Sequence, residues 1–225
     1  MKTVLPYWKR QFISAAKRFF RAMGYEIVAN SYNQATMDGG LLRAGNLGIK
    51  INTVIDIGAS NGRWSELCMK YYPDAKYLLI EAQKEYKPYL ESLCKKHNNI
   101  LYSLSVASDK SGKIYFDDTS VGGGTASSQK INENYKEFDA ITLDTEIENR
   151  GLKPPFLIKF DTHGFEIPIM EGAQNILKDT HLIVIEAYNF KLNDITLRFH
   201  EMITKLETMD FRCIDIVNIP IKQRS

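Results

Sequence analysis

The stretch NTVIDIGASNG, residues 52–62, decides how this chain is read. Its first half, Asn52 to Ile57, is a short β-branched run with the length of a buried strand. Its second half, Gly58-Ala59-Ser60-Asn61-Gly62, is a turn whose glycines let the backbone bend tightly and approach a ligand with no side chain in between. Helical spacing follows from Arg63 to Tyr72, so the unit is strand, glycine turn, helix. The alternation continues downstream. Lys76 to Glu81 (KYLLIE) reads as a second strand, Tyr86 to Lys96 as a helix, Ile100 to Val106 as a third strand and Lys113 to Asp117 as a short extra one. Pro155 to Phe160 (PFLIKF) is the fourth major strand and Glu166 to Leu177 a helix. His181 to Glu186 (HLIVIE) is the fifth strand, Ile195 to Met209 a closing helix and Phe211 to Val217 a last strand. Near-continuous apolar strands alternating with helices predict an α/β fold, a mostly parallel central sheet flanked by helices. Ser120 to Lys130 (SVGGGTASSQK) is expected to be an irregular, mobile loop near a ligand.

Upstream of the sheet the pattern is helical. From Pro6 to Gly24, Trp8, Phe12, Ala15, Phe19 and Met23 recur at helical spacing with Lys9, Arg10, Lys17, Arg18 and Arg21 between them, and a second helix runs from about Tyr32 to Asn46. Residues 1–48 are therefore read as a helical extension and residues 49–225 as a Rossmann-like domain. The basic amphipathic helix suits packing on the domain, weak contact with a membrane surface, or docking of a partner or a twin in a homo-oligomer.

Bulk properties narrow the field. At 225 residues and 44% hydrophobic content the chain buries one good core. A formal net charge of +2 argues against nucleic acid, whose binding calls for a basic surplus on one face. Cys68, Cys94 and Cys213 are odd in number and far apart, which suits buried thiols in a reducing compartment. With no signal-like start and no apolar run near the roughly 20 residues that cross a bilayer, the protein is expected to be soluble and cytoplasmic.

In an open parallel sheet, ligands gather beyond the carboxyl ends of the strands where the strand order reverses. Asp56 ends the first strand beside Gly58 to Gly62, and Glu81 ends the second, where a carboxylate can accept both hydroxyl protons of a ribose. The turn is neither GxGxxG nor GxxxxGK[ST], and Asp56 would repel phosphate while it can face an ammonium. S-adenosylmethionine brings ammonium, sulfonium and ribose together, and is the cofactor these residues suit.

Asp56-Ile57-Gly58-Ala59, Asn61-Gly62-Arg63-Trp64-Ser65 and the segment LIKFDTHGFE from Leu157 to Glu166 resemble the FkbM family of methyltransferases. The likeness runs from about Leu41 to Val217 and includes Ile169-Met170-Glu171-Gly172-Ala173 and the Leu143-Asp144 of ITLDT. It implies a class I methyltransferase fold, S-adenosylmethionine as donor, and O-methylation of a sugar, polyketide or other small-molecule acceptor. The cofactor residues it implies are Asp56, Gly58, Ala59, Ser60, Asn61, Gly62, Glu81, Ala82, Asp161 and, on the adenine side, Val106 and Ala107. Ser105 stands where relatives often carry Asn, and the chain ends at Ser225, where members generally continue into a final antiparallel strand.

An alcohol acceptor has to lose its proton during transfer. Asp161 and His163 follow the fourth strand, and His163 is the better general base because imidazole exchanges protons near neutrality. Glu186, at the end of the fifth strand, faces the same mouth and suits acceptor hydroxyls. Asp161, His163 and Glu186 have the donor types of a divalent-cation site, but no close-spaced ligand motif supports one and no metal is assigned. On the residues alone two other readings stay open. One is a nicotinamide-dependent oxidoreductase, against which the turn lacks a third glycine. The other is a non-catalytic adaptor using the basic helix.

Overall fold

The structure is a computed structural model that describes residues 7–23 and 36–217. Helices α1 (Tyr7–Ala22) and α2 (Met37–Asn46) come first, followed by β1 (Thr53–Ile57), α3 (Arg63–Cys68), β2 (Lys76–Glu81), α4 (Lys87–Lys96) and β3 (Ile100–Leu104). Next come β4 (Val106–Ala107), β5 (Gly112–Asp117), β6 (Thr125–Ser127), β7 (Tyr135–Ile141) and α5 (Leu143–Arg150). The chain continues with β8 (Phe156–Phe160), α6 (Glu166–Glu171), β9 (Thr180–Ile185) and α7 (Phe199–Glu207). The expected helix ends at Pro6 and Gly24, and residues 32–35 of the second helix, lie outside the described residues. The chain divides into two units, one holding the described residues up to Arg43 and from Asp215 on, the other Ala44 to Ile214.

In the larger unit five strands run parallel in the order β3-β2-β1-β8-β9. Every residue of β1 and β8 is buried, which is why these segments carry apolar residues without alternation. Winding starts at β1, runs outward through β2 to β3, then returns to β8 on the other flank of β1. The order therefore reverses between β1 and β8, and a crevice opens at their carboxyl ends. Register brings the tips level: Ile57 lies opposite Ile80 on one side and Phe160 on the other. The fold is the expected α/β arrangement, a parallel central sheet flanked by helices.

A second, mixed sheet of order β4-β7-β5-β6 stands beside the first. The single strand expected over residues 100–106 is divided at Ser105, whose amide makes a last rung to the Glu81 carbonyl (3.0 Å) before Val106 pairs with Ala140 of β7. One hydrophobic cluster serves both sheets, joining Ile57, Ile158 and Phe160 to Ile114, Phe116 and Leu143.

Several expectations are corrected. Ser120 to Lys130 is not wholly irregular, because Thr125–Ser127 pairs antiparallel with β5. Strand β7 and helix α5 were not foreseen; α5 starts at Thr142, whose hydroxyl accepts the Thr145 amide (3.2 Å). The helix after β8 stops at Glu171, since Gly172 packs its backbone against the Ser108 carbonyl so closely that a Cβ would collide there. A new turn, Ile176–Asp179, begins where Asp144 accepts the amides of Asn175 and Ile176. The closing helix begins at Phe199 because Asn193 Oδ1 accepts the amides of Ile195 and Thr196 in a turn of its own. Phe211 to Val217 is assigned no strand among the described residues, and Ile214 and Ile216 are about half exposed.

Candidate active site

Glu81 is held at the tip of β2 by the chain itself. One oxygen accepts the Ser60 amide (2.7 Å) and the other the Gln83 amide (2.8 Å), which leaves each oxygen a lone pair for a ligand. Burial pushes its carboxyl above the ordinary value, and the amides of Gln83 and Ser60 only partly oppose that. Facing Glu81 across the turn is Gly58, with φ of 72°, where a Cβ would run into the Asp161 carbonyl oxygen. Only glycine lets the tips of β1 and β8 close to this extent. Ser60 also has positive φ, 51°, a conformation that costs a non-glycine residue roughly 1–3 kcal/mol and occurs mostly where a site demands it.

Beneath the turn lies an ion pair. Lys159 Nζ, in the middle of the apolar β8, lies 2.9 Å from Asp56 Oδ1, 3.0 Å from the Gly58 carbonyl and 3.1 Å from Asp161 Oδ2. The other Asp56 oxygen accepts the Ser65 hydroxyl (2.7 Å), and Asp56 is wholly buried. Burial alone would push the Lys159 ammonium down, but the two carboxylates reverse this and the net displacement is upward. Asp56 therefore turns inward, away from the cavity, and braces the turn from below.

On one side of the crevice, Gln83 ties the glycine-rich segment to the sheet: its Nε2 donates to the Ser120 carbonyl (2.9 Å) and its Oε1 accepts the Gly122 amide (2.8 Å). On the far side of the mouth, Asp161, His163 and Glu186 bring one donor atom each to within 4.8 Å of one another. His163 has φ of 51°, and the turn after it is fixed by buried Glu166, whose Oε1 accepts the Gly164 amide (3.0 Å) and the Thr162 hydroxyl (3.1 Å). Asp161 does not cap α6, whose first turn follows Phe165. Burial raises Glu186, with Asp161 adding to it against the hydrogen bond from the Tyr188 hydroxyl.

Glu81, Gln83, Asp161 and His163 line a cavity of about 270 Å³, and Glu186 stands beside His163 outside that lining. Ligand pockets commonly start near ~300 Å³, and this one is open to solvent, so the outer parts of a ligand need no enclosure. Of the residues picked from sequence, Gly58, Ser60, Glu81, Ala82, Val106, Ala107, Asp161 and His163 line it. Ala59, Asn61 and Gly62 do not: Asn61 accepts the Arg63 amide (3.3 Å), and Gly62 packs on Leu93 with no room for a Cβ. Sequence reasoning missed Gln83 and Phe116, which line the cavity, and Lys159 beneath it. For Lys159 the signal was visible, since a lone charge in an otherwise apolar strand needs a buried partner.

The donor set fits a nucleoside with a cationic tail: a fixed carboxylate for ribose hydroxyls, apolar Val106, Ala107 and Phe116 for a base, and a turn bare of side chains. A parallel sheet that reverses at β1 with this crevice is the arrangement of a nucleotide- or nucleoside-binding α/β enzyme. Residues 56–213 match the family model described as the methyltransferase FkbM domain, and the chain belongs to that family. Membership decides for methyl transfer over the nicotinamide and adaptor readings. Among solved structures the chain is similar to a SAM-dependent methyltransferase from Aquifex aeolicus, at 16% identity over 88% of each chain with a TM-score of 0.41. It is also similar to a SAM-dependent methyltransferase from Geobacter sulfurreducens in complex with S-adenosyl-L-homocysteine (10% identity, 86% of this chain and 70% of that one, TM-score 0.40). A third likeness is to an N-methyltransferase from Bradyrhizobium japonicum (11% identity, 75% and 78%, TM-score 0.41). Likeness this distant says nothing of what this chain methylates. No curated protein matches.

Proposed function

We propose that the enzyme O-methylates a hydroxyl of a small acceptor, a sugar, a polyketide or another small metabolite, with His163 as general base. The observation that carries this is the gathering of Asp161, His163 and Glu186 at one side of the cavity mouth, with donor atoms within 4.8 Å of one another. When bound, S-adenosylmethionine supplies a methyl group already activated by its sulfonium. Transfer to an alcohol oxygen then needs in-line alignment, worth roughly 7 to 11 kcal/mol, and a proton acceptor. Glu186 accepts from acceptor hydroxyls and orients them, and His163 takes the proton of the reacting one. Asp161 lies 3.1 Å from Lys159, an ammonium it shares with Asp56. The strained backbone of His163, φ 51°, supports a placed rather than incidental imidazole.

In this reading Glu81 binds the ribose hydroxyls, Ala82, Val106 and Ala107 flank the adenine, and Gly58, Ser60 and Asp161 border the methionyl part. The enzyme works in the cytoplasm, a placement supported by Cys68 standing as a buried thiol and not in a disulfide. A screen of labelled-methyl transfer over sugars, glycosides and polyketide alcohols tests the proposal. Label should reach alcohol oxygens and stay there through ester and amide cleavage; exclusive labelling of amines or carbon would overturn it.

A further inference from the structure

No residue of the first helix is among those lining the cavity, and the helix is sharply divided between apolar and basic residues. Its sequence from Tyr7 to Ala22 carries five basic residues, Lys9, Arg10, Lys17, Arg18 and Arg21, and no acid. The whole chain sums to only +2, so everything outside the helix is net negative. At about 100° per residue, Phe12, Phe19 and Met23 fall within about 40° of one another, Ile13 and Phe20 widen the apolar arc on one flank, and Lys17 and Arg18 lie on the opposite side. None of these apolar side chains is covered: Phe12 is 73% exposed, Phe19 62% and Met23 49%. Lys17 and Arg18 are exposed as well.

We infer that α1 is an interfacial anchor that lies on an anionic lipid surface, its phenylalanines among the acyl chains and its basic side at the headgroups. Its 16 residues span about 24 Å, short of the ~30 Å hydrocarbon core, and no helix among the described residues is long and apolar enough to cross a membrane. Lying in the plane is what this length allows. Pairing with a second copy would set five positive charges against five, whereas an anionic surface neutralises them.

The test is co-sedimentation of the full chain with vesicles of phosphatidylcholine alone or with about 30% phosphatidylglycerol. The chain should pellet with the anionic vesicles and be released by salt. Each Lys or Arg near such a surface is worth roughly fivefold in partition, so Lys17→Glu with Arg18→Glu should lower it at least about tenfold. Phe12→Ser with Phe19→Ser should lower it as much, through lost apolar insertion. Calorimetric binding of S-adenosylmethionine, unchanged in both variants, checks the fold. Equal pelleting with neutral and anionic vesicles would overturn the inference. So would variants that pellet like the parent, or capture by an acidic peptide without vesicle binding.

Discussion

Replacing Glu81 by Gln probes the arrangement most directly, because it keeps the shape and removes only the charge and one acceptor. The native carboxylate accepts the amides of Ser60 at 2.7 Å and Gln83 at 2.8 Å. A carboxamide has one accepting oxygen, so its NH2 must face one of those donors, and leaving a buried amide unpaired costs roughly 1–3 kcal/mol. Opposing this, burial raises the Glu81 carboxyl, so at neutral pH its charge is itself a cost of folding that Gln removes. Net stability should therefore change less than affinity. A hydrogen bond from a ribose hydroxyl to a carboxylate is worth roughly 1.5–3 kcal/mol, so the dissociation constant for S-adenosylmethionine should rise about 10- to 150-fold.

The pH dependence has a definite sign. A donor to Glu81 favours its ionised form, so cofactor binding releases a proton, and affinity should fall as pH drops from above the raised value toward the ordinary 4.5. Glu81→Gln should abolish that slope. Calorimetry with the cofactor and with an analogue lacking both ribose hydroxyls completes a double-mutant cycle. The analogue should bind weakly to the parent and lose little further in the variant. Equal losses in both proteins, or an unchanged cofactor affinity in Glu81→Gln, would refute the placement of the ribose.

Three further outcomes follow from the same geometry. Lys159→Met strands the buried Asp56 carboxylate and should cost about 3–5 kcal/mol in urea unfolding, part of it recovered when Asp56→Asn is added; a loss under about 1 kcal/mol would mean that Asp56 has other compensation. His163→Ala should lower turnover about 10²- to 10⁴-fold with cofactor affinity near that of the parent, and chelators should leave turnover unchanged; a rise on adding Mn²⁺ would point to a cation at the same three side chains. Gly58→Ala places a Cβ against the Asp161 carbonyl at a φ of 72°, so the strand tips must part and cofactor affinity should collapse in calorimetry, whereas native-like affinity would mean the turn is looser than it stands here.

What could be read from sequence, and what could not, follows from burial. Strands β1, β2 and β8 announce themselves because both faces of the sheet are covered there, which demands apolar residues at nearly every position, whereas β9 shows by its unbroken apolar run although only two of its six residues are buried. Strand β7, YKEFDAI, is exposed at three of its seven positions and its charges hide it. Helix α5, LDTEIENR, buries only Leu143 and Ile147, too few to show a period. Glu81, Asp161 and His163 could be found because strand ends face the crevice in any such sheet. The direction of the Asp56 side chain could not, since it depends on a partner 103 residues away in Lys159. Gln83 and Phe116 were invisible for a related reason: one holds Ser120 and Gly122, the other belongs to a sheet with little apolar periodicity to reveal it.

Lys159 also explains why two distant segments of this chain carry their residues together. The register sets Asp56 opposite Lys159 across β1 and β8, and the ammonium reaches on to the Gly58 carbonyl and to Asp161. The glycine turn that borders the cavity and the loop that bears the proposed base are thus two ends of one buried ionic link. Changing the lysine should disturb cofactor affinity and turnover together, although it does not line the cavity. Separate effects, with affinity intact and turnover lost, would show instead that the link serves only the Asp161 side. Joint loss is the outcome the geometry requires, because a displaced Asp161 carbonyl would also release Gly58, and with it the bend that brings the Ser60 amide onto Glu81.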